Sequence, residues 1–235
     1  MKKLKFYLSH NLFNAANKAI REKSDVIELF LLTVPEILID ESIDKGLGFF
    51  EVIIDKMSRL VYTLKKDGVI YKKFSFAFPF HLKQNSDEGF AKWTISDNAG
   101  ELLDSQIVSI LLILFNEGLF DENISSEIEP LEFYERILQA IKEIEADIRI
   151  TEVSIWHFIR KLFLFEPGYV RYDYDNDEER CDEIIHPLHH LDFYFSDNAT
   201  MKLGVAKDDR DFAKWKEDAF ENLLNTKTPC YYLKI

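Results

Sequence analysis

Cysteine is nearly absent: Cys181 and Cys230 are the two thiols in 235 residues. At most one disulfide can form, which fits a reducing cytoplasm better than a secreted scaffold. Basic charge is also in deficit, since 29 Lys and Arg face 42 Asp and Glu for a net charge of −13. That balance opposes non-specific attraction to nucleic acid and to anionic membrane surfaces. No apolar run approaches the ~20 residues of a spanning helix, and the longest lies near Ile110 to Phe115. In the basic start MKKLKFYLSHN, Ser9, His10 and Asn11 interrupt the run before a signal-type apolar segment develops, so the expectation is a soluble, cytoplasmic protein. Walker loops, dinucleotide glycine fingerprints and nucleophile elbows are missing as well, as are internal repeats, low-complexity tracts and long linkers.

Apolar residues make up 47% of the chain, with 20 Phe and 10 Tyr, enough for a substantial core. From Asn11 to Glu22, Leu12, Ala15, Ala16, Ala19 and Ile20 fall at helical spacing, capped near Ser9 or Asn11. Pro35 limits any helix in Val26 to Leu38 to the part before it, or marks a new start. Phe49 to Ile54 reads as a buried strand. In RLVYTLKKDGVIYKKFSFAF, Asp67-Gly68 supplies the positive φ angles of a two-residue hairpin, and another strand covers Ala91 to Ile95. DSQIVSILLILFNEG reads as a helix buried on most sides, opened by Asp104 and closed by Gly118. Pro130 starts an amphipathic helix running to about Ala146. TEVSIWHFIRKLFLFE is rich in strand formers and leads through Glu166-Pro167-Gly168-Tyr169, a type II turn, into the next strand as a hairpin. Phe212 to Leu223 forms a last helix before a CYYLKI strand. The fold expected is α+β, mainly antiparallel sheet with a buried central helix and flanking amphipathic helices. It forms one domain over residues 1–235, with a weak boundary near Asp147 between 1–147 and 148–235.

Most of the reactive side chains lie between Tyr169 and Val205, where three short runs alternate with period two. Val170, Tyr172 and Tyr174 share one face, as do Leu191, Phe193 and Phe195, and Met201, Leu203 and Val205. An antiparallel meander then gathers Arg171, Asp173, His190, Asp192, Tyr194, Thr200 and Lys202 on the polar face. His186, His190 and Asp192 are candidate ligands for a divalent ion such as Zn, Mn or Mg, with Asp173 from the neighbouring strand. The spacing fits neither a zincin pair nor the H-x-H-x-D-H run of metallo-β-lactamase-like hydrolases. A hydrogen-bonded His190–Asp192 pair beside Arg171, charge-neutralised and holding no substrate, explains the same residues. A restriction-type nuclease triplet lacks its second carboxylate at Thr200-Met201-Lys202. Cys181 lies among Glu178, Glu179, Asp182 and Glu183, which disfavour a thiolate nucleophile. The acidic loop DYDNDEERCDE lacks an EF-hand's turn glycine and final glutamate, so it is a solvated loop or a docking surface for a basic partner.

RYDYD, HPLHHLD and TMKLG, preceded by IWHFIRK, resemble an uncharacterised prokaryotic family. Its C-terminal part carries an aromatic strand ending in Arg-Lys, an R-x-D-Y-D strand and an H-P-x-x-H motif. The resemblance covers the last third of the chain, from Trp156 onward. It matches Arg171, Asp173, Asp175, His186, Pro187 and His190, and departs where relatives carry a second histidine and this chain has Asp192. It implies a bacterial or phage-related origin and, by analogy, a defence or toxin–antitoxin module. Two functions follow. The first is a non-enzymatic subunit of such an assembly, holding a protein partner such as an ATPase or nuclease. The alternative is a metal-dependent hydrolase or nuclease in which His190, Asp192 and Asp173 hold the ion while Arg171 and Lys202 stabilise phosphate charge.

Overall fold

A computed structural model describes residues 1–39, 46–85, 92–121, 128–147, 149–174 and 189–193, the backbone of 201–205, and residue 220. Among these it is an α+β protein with a seven-stranded antiparallel sheet, a two-stranded sheet and five helices. The chain divides into two compact units interleaved in sequence. Unit 1 is Met1–Glu22, Ser42–Phe78 and Pro167–Ile235; unit 2 is Lys23–Glu41 and Pro79–Glu166.

Unit 1 is built on β1 (Lys2–Tyr7), β2 (Gly48–Ile54), β3 (Arg59–Lys66), β4 (Val69–Ala77), β7 (Val170–Tyr174), β8 (His189–Phe193) and β9 (Met201–Val205), in that spatial order. Asp67 (φ 53°) and Gly68 (φ 79°) close the β3–β4 hairpin as their sequence requires. One row of directly opposed residues crosses the sheet: Phe6, Phe50, Tyr62, Phe74, Arg171, Asp192 and Lys202. Its aromatic half is stacked, with ring centroids 5.1, 5.7 and 4.6 Å apart in turn. Helix α1 (His10–Asn17) packs against this side, its first turn capped by Ser9 Oγ, which accepts from Leu12 N at 3.2 Å. The helix stops at Asn17, earlier than the apolar spacing through Ile20 predicts, where Lys18 leaves the helical conformation (ψ 156°). On the opposite side Ile53, Val61, Val170, Tyr172 and Leu191 form a core with Phe220. Gly48 has no substitute: at φ 126°, an added Cβ would lie 2.1 Å from the Thr63 carbonyl oxygen.

Unit 2 comprises α2 (Lys23–Ile39), β5 (His81–Gln84), β6 (Trp93–Ser96), α3 (Ser105–Asn116), α4 (Pro130–Glu143) and α5 (Glu152–Leu164). Asp104 caps α3 by accepting from Ile107 N at 2.9 Å, and Gly118 ends it at φ 81°. Two expectations fail here. Helix α2 runs through Pro35 without a break. The proline removes one intrahelical hydrogen bond, but Val26, Ile27, Leu29, Phe30, Leu31, Val34 and Ile37 are buried along the whole length, so packing outweighs propensity. The run TEVSIWHFIRKLFLFE is α5, not a strand. Ile155, Phe158, Ile159 and Leu162 are its buried stripe, at i, i+3, i+4 and i+7, and Thr151 with Ser154 closes a capping box. Pro167-Gly168 therefore joins a helix to β7, and no hairpin precedes that strand. The Phe212–Leu223 helix, apart from Phe220, and the CYYLKI strand lie outside the described residues.

Candidate functional site

Strands β7, β8 and β9 pair antiparallel in sequence, with Arg171 opposite Asp192 and Asp173 opposite His190. This register puts Arg171, Asp173, His190 and Asp192 on one face. The same face carries Phe74 and Tyr62, so the polar group continues an aromatic row and is itself buried: His190 and Asp192 are each 3% exposed. Arg171 binds both carboxylates, its Nε lying 2.6 Å from Asp173 Oδ2 and its Nη2 donating to Asp192 Oδ2. His190 Nε2 stands 3.4 Å from Asp173 Oδ2. Lys202 is opposite Asp192 in backbone register. His186 and Asp175, together with Tyr194 and Thr200, lie outside the described residues, as does the acidic loop from Asp175 onward with Cys181. His189 points to the other face, where its Nδ1 meets Tyr172 Oη at 2.9 Å.

One member is new. Lys72 lies directly opposite Asp173 on β4 and is 5% exposed. Its Nζ donates to the carbonyls of Ala16, Asn17 and Lys18 at 2.8, 3.2 and 2.7 Å, so the ammonium sits at the negative end of α1. Burial and the Arg171 charge pull its pKa down to about 8, with Asp173 opposing. For Asp173, burial alone would raise the carboxyl. The His190 hydrogen bond and the charges of Arg171, His190 and Lys72 outweigh it and hold the group below its usual value. The signal for Lys72 was present in the alternation, since Lys72, Phe74 and Phe76 are two residues apart on one strand face.

Asp173, His190 and Asp192 offer ligand atoms within 4.8 Å of one another, so this buried group could hold a metal ion. Two cations, Lys72 and Arg171, already balance its two carboxylates, and an incoming divalent ion would have to displace Arg171.

A second candidate lies in unit 2, between α4 and α5. Phe133, Tyr134, Ile137, Val153 and Trp156 line a groove of about 510 Å³ with Glu152 at its edge. Phe133 and Trp156 meet edge to face at 5.3 Å, and Tyr134 Oη donates to Glu152 Oε1 at 3.2 Å. Val153 is 70%, Leu131 69% and Trp156 48% exposed, a concentration of open apolar surface on one helix pair. The sequence shows the α4 half as an amphipathic stripe. The α5 half is hidden by the strand-like composition of TEVSIWHF. Charge is divided as unevenly as apolar surface: unit 2 holds 22 acidic and 8 basic residues, unit 1 20 and 21.

No family model, curated protein or solved structure matches the chain. Among the described residues no helix is long and apolar enough to cross a membrane.

Proposed function

We propose that the protein is a non-enzymatic subunit that binds another protein through the α4–α5 groove of its acidic unit. The observation that carries this reading is the exposure of Val153, Trp156 and Tyr134 around one apolar groove, since contiguous exposed apolar surface of this kind is where protein partners dock. Resemblance of the C-terminal third suggests a prokaryotic defence or toxin-type assembly as its setting, with an ATPase or nuclease as the partner class. The buried polar group then serves as internal scaffolding: two cations and two carboxylates fix β4, β7 and β8 against α1. A photo-crosslinking amino acid placed at Val153 in the full chain tests the reading in the native host. One discrete heterologous product is expected, absent when the same group is placed at Met57 on unit 1. Equal labelling from both positions would reject it.

A second reading rests on the ligand atoms of Asp173, His190 and Asp192. In this hydrolase or nuclease, the ion activates water and Lys72 or Arg171 answers the phosphate charge. Titration of metal-stripped protein with Mn²⁺ and Zn²⁺ beside the His190→Ala, Asp192→Ala double mutant separates the two. Micromolar binding lost in the mutant favours the hydrolase; its absence leaves the group structural.

A further inference from the structure

We infer that the segment seated in the α4–α5 groove is a basic amphipathic helix of the partner, an inference that rests on the docking reading above. The groove runs between two adjacent helices whose facing positions, Phe133 and Ile137 on α4 and Val153 and Trp156 on α5, are apolar. A third helix laid in it, with apolar anchors at i, i+3, i+4 and i+7, completes a three-helix arrangement and covers those side chains at once. An added strand has no pairing edge there, because both walls are helical and their backbone hydrogen bonds are already made.

Charge selects the sign of the helix. Glu152 on α5 lines the groove itself, and Glu129, exposed at the N-cap of α4, directly precedes the lining residue Pro130. Of the nearby cations, Arg136 is engaged by Glu132 at 2.7 Å and by the Glu117 carbonyl at 3.1 Å, and Arg149 by Asp147 at 2.9 Å, while Arg160, exposed one turn beyond Trp156 on α5, lies past the lining residues. The surrounding unit, at 22 acids to 8 bases, adds a field of the same sign. A helix with lysine or arginine flanking its apolar face is attracted and steered; an acidic helix is repelled. The same argument disfavours a second copy, because two acidic grooves would face each other.

The test uses the full chain and two labelled synthetic helices of about 18 residues that share a Leu/Trp face and carry Lys or Glu on the polar face. Fluorescence anisotropy at about 0.15 M salt should show the Lys helix binding at least tenfold tighter. Val153→Glu should abolish that binding, and Glu129→Lys with Glu152→Lys should erase or reverse the preference. Circular dichroism confirms that each variant is folded. Equal binding of both helices, still lost in Val153→Glu, would overturn the basic-helix inference and leave the docking reading standing. Lys-helix binding that survives Val153→Glu is bare charge attraction and overturns the inference. Binding of neither helix overturns it together with the docking reading.

Discussion

At Lys72 an ammonium group is held against the Phe74 ring, 5.2 Å from its centroid, and capped by three carbonyls of α1. The folded chain gives up this proton near pH 8 and the unfolded chain near 10.5. Below the lower value the burial penalty on the charged form is fully present, and between the two values the folded state releases its proton first, so stability rises with pH. Urea unfolding across that interval should show wild type gaining on the order of 2 kcal/mol relative to Lys72→Met; parallel pH curves would show that the amine titrates normally. Asp173 carries the opposite sign. Its carboxyl is held below the usual range, so its contribution is present above the ordinary carboxyl pKa and fades as pH falls through the folded value. Asp173→Asn should cost about 3 kcal/mol at neutral pH, because Arg171 loses a buried partner, and the difference from wild type should shrink in acid. Period-two alternation made the sharing of one face by Arg171, Asp173, His190 and Asp192 legible. The burial of that face was not, since alternation assigns sides without saying which side another element covers. Only the pairing of β4 with β7, at a sequence separation of about a hundred residues, sets Arg171 beside Phe74.

Local signals decided the elements wherever they agreed with one another. Asp67-Gly68, Asp104 and Gly118 each specify a backbone geometry, and the structure has a turn, a cap and a stop at those positions. Two segments misled for identifiable reasons. In α5 the aromatic and β-branched composition argues for a strand, yet Ile155, Phe158, Ile159 and Leu162 are spaced for a helix, and burial follows the spacing. The Thr151–Ser154 capping box sets where that helix begins, one residue before the groove side chains Glu152 and Val153. Thr151→Ala should therefore cost about 1 kcal/mol, and hydrogen exchange should quicken first in the initial turn of α5. Unchanged exchange there would mean that the cap contributes nothing. In α2, Pro35→Ala restores the missing N–H without altering the buried stripe, and should raise the stability of unit 2 by about 1 kcal/mol or more. A loss instead would show that the proline is matched to its surroundings.

Over the whole molecule, neither the division into units nor the imbalance of charge shows in a linear scan. The unit borders coincide with no compositional shift in the sequence, and each unit is assembled from separated segments. A net charge of −13 over the chain conceals one unit that is close to neutral and one that carries −14. The proposed partner-binding role rests on that division, with the apolar groove on the acidic side, and the metal-dependent alternative on the buried, internally balanced group. Under the docking proposal, partner association should weaken with added salt, since the attraction of a basic segment to the acidic unit is screened beyond about 8 Å at physiological ionic strength. The most direct measurement is the dissociation constant of the partner captured at Val153, determined for wild type and for folded Val153→Glu. A loss of at least fiftyfold is expected, because the substitution puts a carboxylate into the apolar seam. An unchanged constant would contradict the assignment of the groove as the docking surface.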